Sequence, residues 1–292
     1  MTEFRQSILK ELKEKRPNIS DSSLKTYTSN LFNINKKLNG EQDLSFFKNH
    51  DDLLKYIKTE MKSTQTQKTL QCALFILTGL DAYRDVMLEY SKQVNDQYKT
   101  QKMTDKQKEH RISFDEVREK VNTLFNAMKA NPSKENYELY LISCFSSGIF
   151  SPPRRAEFAN IKIKNYHVQY DNYLISTAKQ KKIVFNKYKT AKRYGTQEYN
   201  IPTQVMPILR KYLKMYTSDY LFPKKNGESP MSNVDYNRML QKIFGKGISV
   251  DALRSIFLSE RYKDIPAIHE MEATATAMGN DFMTGLKDYV KK

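Results

Sequence analysis

The stretch that decides the fold is residues 161–201, which read IKIKNYHVQYDNYLISTAKQKKIVFNKYKTAKRYGTQEYNI. Apolar and polar residues alternate along it, as at Ile183 and Phe185, and turn-forming residues interrupt the alternation at 170–172 and 194–195. A period of two is typical of strands with one buried face. On both sides of this stretch, apolar residues recur at the spacing of a helix. The sequence therefore predicts a mainly α protein with one small antiparallel β-sheet, whose last hairpin is basic.

Apolar residues elsewhere recur at helical spacing. A Ser20-Asp21 cap predicts a helix reaching Ile34, and further helices are predicted over Leu44–Met61, Gln65–Leu80, Tyr83–Val94, Phe114–Lys129, Glu135–Ser146, Val205–Met215, Asn233–Phe244, Val250–Arg261, Ala267–Ala277 and Asp281–Tyr289. The stretch 95–110 is polar and almost free of apolar residues, which is typical of a linker. We therefore divide the chain into residues 1–100, a linker at 101–110, and residues 111–292.

The composition excludes several classes of protein. The 292 residues are 39% hydrophobic, which is enough to bury the cores of about two domains. No apolar run approaches membrane-spanning length and the N-terminus is charged from Glu3 onward, so we expect neither membrane insertion nor secretion. Cys72 and Cys144 lack CxxC spacing and the four histidines are scattered, so we expect no metal site or disulfide framework, and a reducing compartment.

The charge balance indicates a polyanionic partner. The chain has 49 Lys and Arg against 33 Asp and Glu, a net charge of +16. Residues 1–110 contribute +4 and residues 111–292 contribute +12. Within the second part, residues 162–194 hold nine basic side chains and a single acid, Asp171. Such a concentration favours nucleic acid over a membrane surface, because no basic amphipathic anchor accompanies it.

Five short motifs follow one another along the second part. They are Arg154-Arg155-Ala156-Glu157-Phe158 before the strand at Ile161, the basic segment 188–193 with Asn200-Ile201-Pro202, Tyr220-Leu221-Phe222-Pro223, residues 248–254 ending in Arg254, and Met278-Gly279-Asn280, with Tyr289 nine residues later. Taken singly, each has an ordinary explanation, such as a helix-start ion pair between Arg154 and Glu157. Their order and spacing together are hard to obtain by chance.

In this order the motifs resemble those of the tyrosine recombinases, particularly the integrases of phages, large DNA viruses and mobile elements. The resemblance implies a helical core-binding domain at residues 1–100 and an α/β catalytic domain at 111–292, closing around double-stranded DNA. It implies site-specific recombination or integration through a 3′-phosphotyrosyl intermediate, a free 5′-hydroxyl and a Holliday junction. It also implies a homotetramer on paired DNA sites, no cofactor, and an intracellular location on DNA.

Each matching residue acquires an expected role from this resemblance. Arg154 and Arg254 would neutralise the phosphate oxygens, and Tyr289 would be the nucleophile. Lys189 on the hairpin would protonate the leaving 5′-oxygen, with Lys192 or Lys187 as alternatives. Further cations are expected to contact DNA: Arg155, Lys187, Lys192 and Arg193.

Two positions depart from the family's pattern. Asp251 stands where the family has His or Lys, and a carboxylate accepts hydrogen bonds but cannot donate them, so we expect it to hold Arg154 or Arg254. Asn280 replaces His or Trp and can still donate from its amide group. Both departures leave open a catalytically impaired DNA-binding protein of recombinase ancestry. A type IB topoisomerase, which uses the same cleavage chemistry, is a second alternative, and a generic RNA-binding protein has only the charge in its favour.

Overall fold

The computed structural model describes residues 2–38, 40–177, 181–215 and 217–278, and these are mainly helical with one four-stranded sheet. This confirms the predicted fold class. Contacts divide the described residues into two compact units: those up to Lys102 together with those from Pro266 onward, and Met103–Ile265. The proposed division at residues 101–110 stays a prediction, since the residues from Pro266 cluster with the first unit.

The first unit is built from helices around its own apolar core. Its helices are α1 (Glu3–Lys15), α2 (Asp21–Lys37), α3 (His50–Glu60), α4 (Thr64–Thr78) and α5 (Asp81–Lys99), with a 3₁₀ turn at Leu44–Lys48. Ser20 caps α2 as predicted, because its hydroxyl accepts a hydrogen bond from the Ser23 amide at 3.2 Å. The single helix predicted over Leu44–Met61 is thus a 3₁₀ turn followed by α3.

Two short helices lie close in sequence to the two boundaries between the units. The predicted linker contains α6 (Asp105–His110), whose start is stabilised by a reciprocal capping box between Thr104 and Gln107. Later in the chain, α13 (Ile268–Ala277) belongs to the first unit. It is attached there by an ion pair of 3.1 Å between Glu272 and Lys99, and by the Ile268 amide, which donates to the Gln101 side chain at 3.0 Å.

The second unit encloses a larger core. Its longer helices are α7 (Phe114–Ala130), α8 (Lys134–Ser146), α10 (Met206–Lys214), α11 (Asn233–Phe244) and α12 (Val250–Arg261). Almost every residue of α8 from Tyr137 to Ser146 is buried, so α8 is the central helix of this unit. The ring of Phe145 on α8 stacks on Phe158 at 5.0 Å, which fixes the segment after α8 against the core.

The sheet of the second unit has the strand order β1-β2-β3-β4. The strands are β1 (Ile161–Lys162), β2 (Asn172–Ser176), β3 (Lys181–Phe185) and β4 (Gln197–Asn200). The pairs β2–β3 and β3–β4 are antiparallel as predicted, but β1 and β2 are parallel. The alternation from Ile161 onward predicts a longer strand, but β1 is only two residues long. On its other edge β1 pairs with residues 219–221, which alternation within 161–201 cannot reveal.

The segment between β3 and β4 is longer than a simple hairpin turn. Residues 186–196, which we call the basic loop, include a four-residue helix, α9 (Ala191–Tyr194). The sequence predicts a hairpin here but not this helix. The loop carries Lys187, Lys189, Lys192 and Arg193.

One glycine fixes the approach of α12 to the segment after α8. Gly148 adopts a φ of +86°, and a Cβ added there would lie 2.6 Å from Cδ2 of Phe257 on α12. The start of α12 is held by Ser249, which caps it, and by Asn237, whose side-chain oxygen accepts from the Val250 amide at 3.0 Å. The residue type at position 148 therefore sets how closely α12 packs.

We expect Gly148→Ala to lower the free energy of unfolding by about 2–4 kcal/mol, through left-handed backbone strain plus overpacking against Phe257. Gly227→Ala is the matched control, because Gly227 has a similar φ of +77° but open space around it. It should cost only about 1 kcal/mol. Denaturant titration measures both values, and equal losses for the two variants would contradict the packing argument.

Candidate functional site

Arg154 lies between α8 and the 3₁₀ turn at Ala156–Asn160, and its guanidinium is directed at the base of the basic loop. Its Cζ lies 4.2 Å from the centre of the Phe185 ring and 5.2 Å from that of Tyr188. Nη1 donates to Oε1 of Gln197 at 2.7 Å, whereas Nε is buried without a partner among the described residues. The aromatic faces orient the guanidinium and leave donors uncommitted.

The ion pair between Arg154 and Glu157, which would be the ordinary explanation of this motif, is absent from the described contacts. Arg154 precedes the 3₁₀ turn instead of lying in an α-helix, so the spacing of three residues does not bring the two side chains together. Oε2 of Glu157 is buried and has no hydrogen-bond partner among the described residues. Arg154 instead bonds to Gln197, 43 residues further along the chain, and the sequence did not predict this contact.

The buried side chain of Asn172 anchors the first end of the basic loop. Its Oδ1 accepts from the amides of Asn186 at 2.9 Å and Lys187 at 2.8 Å, and its Nδ2 donates to the Lys187 carbonyl at 2.8 Å. The Asn172 side chain is only 5% exposed, so these bonds are partly shielded from water. One amide group therefore satisfies three backbone groups at the point where the chain leaves the sheet.

The side chains of Asn186, Tyr188 and Thr196 make further hydrogen bonds that hold the two ends of the loop. Nδ2 of Asn186 donates to the carbonyls of Val168 at 2.9 Å and Asp171 at 2.8 Å, while its Oδ1 accepts from the Thr196 hydroxyl at 2.8 Å. The Tyr188 hydroxyl donates to the Gly195 carbonyl at 2.6 Å. The base of the loop is thus fixed at both ends.

The cations of the basic loop are exposed. Within the described part of the chain, none of them has a carboxylate partner; they are Lys187, Lys189, Lys192 and Arg193. The guanidinium of Arg193 lies 5.1 Å from the centre of the Tyr194 ring. Arg155, next to Arg154, is also exposed. These five predicted positions therefore offer their charge to solvent or to a ligand.

Two other basic residues of the 162–194 stretch are already neutralised by carboxylates. Lys162 contacts Oδ2 of Asp171 at 2.8 Å, and Lys182 contacts Oε1 of Glu198 at 2.5 Å. The hydrogen bond from the His167 amide, followed by that from Lys162, lowers the pKa of the Asp171 carboxyl below its usual value. The hydrogen bond to Asp171 in turn raises the pKa of the Lys162 ammonium. Only part of the positive charge counted in residues 162–194 is therefore free to act on a ligand.

Arg254 and Asp251 lie in the first turn and a half of α12 and contact each other. Nη1 of Arg254 is 3.2 Å from Oδ1 of Asp251, and the two side chains are 33% and 74% exposed. An exposed pair of this kind contributes little to stability. Its effect is instead to orient the guanidinium, and a catalytic role for either residue stays a prediction.

Packing connects the two arginine-bearing segments. Phe257, one helical turn after Arg254, lies against Gly148, six residues before Arg154. Arg154 also contacts the aromatic residues at the base of the loop that carries Lys189. The structure thus places Arg154 beside the basic loop and packs the Arg254 helix against the segment that leads to Arg154. The predicted Asn280 and Tyr289 lie outside the described residues.

Several residues that shape the site were not singled out from the sequence. In the sequence, Phe185 and Tyr188 are recognised only as apolar positions of a hairpin, and Asn172 only as part of a turn. An asparagine at the first position of a strand beside a long loop is the one signal that points to such an anchor. Gln197 and Asn186 carry no local signal, since their partners are distant in sequence.

Neither a cluster of metal-ligating side chains nor a membrane-spanning helix is found among the described residues. No group of three or more His, Cys, Asp or Glu side chains there is arranged to hold a metal ion. None of the helices described combines the length and apolarity needed to cross a membrane.

Comparison with known proteins adds a loose likeness to solved structures. No protein-family model matches the chain, and no curated protein matches it. Among solved structures the chain is similar to the crystal structure of XerA recombinase, with 14% sequence identity, 93% of this chain and 88% of that chain covered, and a TM-score of 0.34. A TM-score this low describes a loose overlap of folds, so function has to be argued from the chain's own residues.

We expect Asn172→Ala to loosen the basic loop. The substitution leaves the Asn186 and Lys187 amides without their acceptor, which costs at least about 2 kcal/mol of unfolding free energy. Trypsin should then cleave after Lys187 and Lys189 faster than in the wild type. Asn200→Ala, at an exposed position at the end of β4, is the control and should leave the cleavage rate unchanged. Equal rates for both variants would show that Asn172 does not hold the loop.

Acidification should remove the contribution of Asp171 to stability. Because the folded-state pKa of Asp171 is lowered, its ionised form favours folding above the unfolded-state pKa of about 3.9, and this contribution is lost as pH falls further. Asp171→Asn should therefore be less stable than the wild type at pH 7, and the difference should shrink below about pH 4. Denaturant titrations across pH measure this, with Asp264→Asn at an exposed position as control. A difference independent of pH would refute the prediction.

Proposed function

We propose that this chain breaks and rejoins double-stranded DNA in the manner of a tyrosine recombinase. The proposal is supported first by the order and spacing of the five motifs between Arg154 and Tyr289. It is supported further by the net charge of +12 on residues 111–292. Site-specific recombination or integration, for a virus or mobile element, is the finer form of the same proposal.

The observation that carries the proposal is the position of Arg154 beside the basic loop. A phosphodiester is a charged electrophile, so the site must neutralise the nonbridging oxygens as negative charge develops on them. Arg154 is oriented by Phe185 and Tyr188 and uses one terminal nitrogen on Gln197, which leaves other donors for a phosphate. The loop that begins beside it carries the lysine proposed as acid.

The proposed reaction assigns one task to each residue. The Tyr289 phenolate attacks the phosphorus, forming a 3′-phosphotyrosyl bond while the bond from phosphorus to the 5′-oxygen breaks. Lys189 donates the proton that the leaving 5′-oxygen needs, with Lys192 or Lys187 as alternatives. The phosphotyrosyl bond conserves the energy of the broken bond, so rejoining is the reverse reaction and needs no ATP.

Other proposed roles surround this centre. Arg254 binds the phosphate with Arg154, and Asn280 donates its amide hydrogen to a phosphate oxygen. Asp251 is a positioning residue, because its carboxylate contacts Arg254 and cannot donate to the phosphate. The remaining exposed cations bind the DNA backbone: Arg155, Lys187, Lys192 and Arg193. Affinity should therefore fall steeply with salt as bound counterions are released.

The proposed assembly extends the resemblance of the motifs. The helical residues 1–100 and a catalytic domain at 111–292 both bind the DNA, and a homotetramer on two paired sites exchanges strands through a Holliday junction. A type IB topoisomerase would use the same cleavage step without a partner site. It would relax supercoiled plasmid as a monomer, whereas the recombinase requires paired sites.

A second candidate function is DNA binding without cleavage. The observation that favours it is the contact between Asp251 and Arg254, because a carboxylate stands where a hydrogen-bond donor is expected and occupies one guanidinium nitrogen. Such a protein would keep the charge and the salt-sensitive binding. It would form no covalent complex with DNA.

We expect the wild type, but not Tyr289→Phe, to form a covalent adduct with DNA. The substrate is a pool of fluorescent duplexes of randomised sequence, each nicked so that the freed 5′-hydroxyl strand diffuses away and the adduct accumulates. Tyr262→Phe changes an exposed tyrosine and is the control, expected to react like the wild type. Arg154→Lys keeps the charge but loses the planar fork, and should slow adduct formation by about 10²–10³-fold.

Denaturing electrophoresis separates the outcomes. An adduct that persists in Tyr289→Phe shows that another residue is the nucleophile. Salt-sensitive binding without any wild-type adduct supports the DNA-binding candidate instead. Adduct formation unchanged in Arg154→Lys contradicts the role given to the guanidinium.

A further inference from the structure

The connection between β1 and β2 exposes aromatic and apolar groups to solvent. We call residues 166–171 the aromatic turn. The rings of His167 and Tyr170 stack with their centres 4.6 Å apart and their planes 29° from parallel. Tyr170 remains 68% exposed and Val168 60% exposed. Exposed rings with an apolar neighbour mark a surface suited to a flat ligand.

The aromatic turn is held in one conformation. Oδ2 of Asp171 accepts from the His167 amide and from Nζ of Lys162, both at 2.8 Å. Nδ1 of His167 accepts from the Gln169 amide at 3.2 Å, which fixes the plane of the imidazole. Because these groups are satisfied within the turn, its exposed rings are presented without a large ordering cost on binding.

Hydrogen bonds also join the aromatic turn to the basic loop. Asn186, the first residue of the loop, donates to the carbonyls of Val168 and Asp171. The turn and the lysines that follow Asn186 therefore form one continuous surface. A ligand that contacts Lys187 is within reach of the rings.

The charge around the aromatic turn selects an anionic ligand. Lys164 precedes the turn in the sequence, and the charge of Lys187 helps to lower the pKa of the Asp171 carboxyl at its end. Both lysines are exposed, and neither forms a salt bridge with a carboxylate among the described residues. The nearby carboxylates are already engaged, Asp171 by Lys162 and Asp219 by the side chain of Asn165. Rings flanked by free cations are the combination that binds single-stranded nucleic acid, where each base stacks and each phosphate pairs with a cation.

We infer that the aromatic turn stacks on an unpaired base of DNA whose backbone is bound by the basic loop. A base within a duplex has no free face, because its neighbours cover both sides, so the rings can stack only on an extruded or unpaired nucleotide. The inference rests on the proposed function in taking DNA as the partner. It gives the preferred substrate a defined form: duplex with an unpaired nucleotide beside the strand that the loop holds.

The test measures the affinity of the full-length chain for three fluorescent duplexes by polarisation. The first is fully paired, the second has a single-thymidine bulge, and the third has an abasic bulge with the same extra phosphate but no base. We expect the wild type to bind the thymidine bulge about tenfold more tightly than the other two, since stacking requires the base. Tyr170→Ala should abolish this preference without weakening binding to the paired duplex.

Two variants serve as controls. Tyr170→Phe keeps the ring and should keep the preference, and Tyr98→Ala removes a tyrosine of matched exposure, 69%, from the first unit and should also keep it. Thermal unfolding of Tyr170→Ala should match the wild type, because the side chain is exposed. A preference that survives in Tyr170→Ala, or that the abasic bulge reproduces, overturns the inference.

The proposed function can fail separately. Equal binding to all three duplexes, together with a Tyr289-dependent adduct, leaves the recombinase proposal standing and removes this inference. A Tyr170-dependent preference without any adduct leaves this inference standing and removes the recombinase proposal. Absence of salt-sensitive binding to every duplex overturns both.

Discussion

Three hydrogen bonds of one buried side chain, Asn172, support the rest of the candidate site. Where the chain leaves β3 its backbone amides lose their partners in the sheet but remain partly buried, and a partly buried amide without an acceptor is costly. Asn172 resolves this with one amide group that both accepts and donates. The aromatic turn and the basic loop take their positions from that group and from Asn186, and the contacts of Arg154 with Tyr188 and Gln197 depend on the same geometry.

The site concentrates positive charge that the fold itself does not neutralise. Exposed lysines of the basic loop lie near a guanidinium covered by the rings of Phe185 and Tyr188, and mutual repulsion among them opposes folding. The quadrupoles of those rings offset part of this cost for Arg154. A polyanion that binds the folded protein would relieve the remainder, so the ligand-free protein is held below the stability that its core could support.

Local signals account for what the sequence predicted well. The bounds of α11 and α12 agree with the prediction because Ser232 and Ser249 cap them, and the side chain of a capping residue acts only on its own helix. What the sequence did not predict depends on partners that are distant along the chain. β1 pairs in parallel with β2 and also bonds to residues 219–221, and Arg154 donates to Gln197, 43 positions away. The structure places Arg154 beside the basic loop, as the order of the motifs suggests, and the catalytic role of every predicted residue remains a prediction.

The attachment of α13 has a consequence for the order in which the protein assembles. The first unit is completed by a helix whose residues are synthesised only after the entire second unit. The core of α1–α5 does not wait for it, because α13 buries little and is held through an exposed ion pair with Lys99 and one hydrogen bond to Gln101. On the ribosome α13 is therefore the last described element to dock, and in the finished protein rising ionic strength would weaken its ion pair with Lys99.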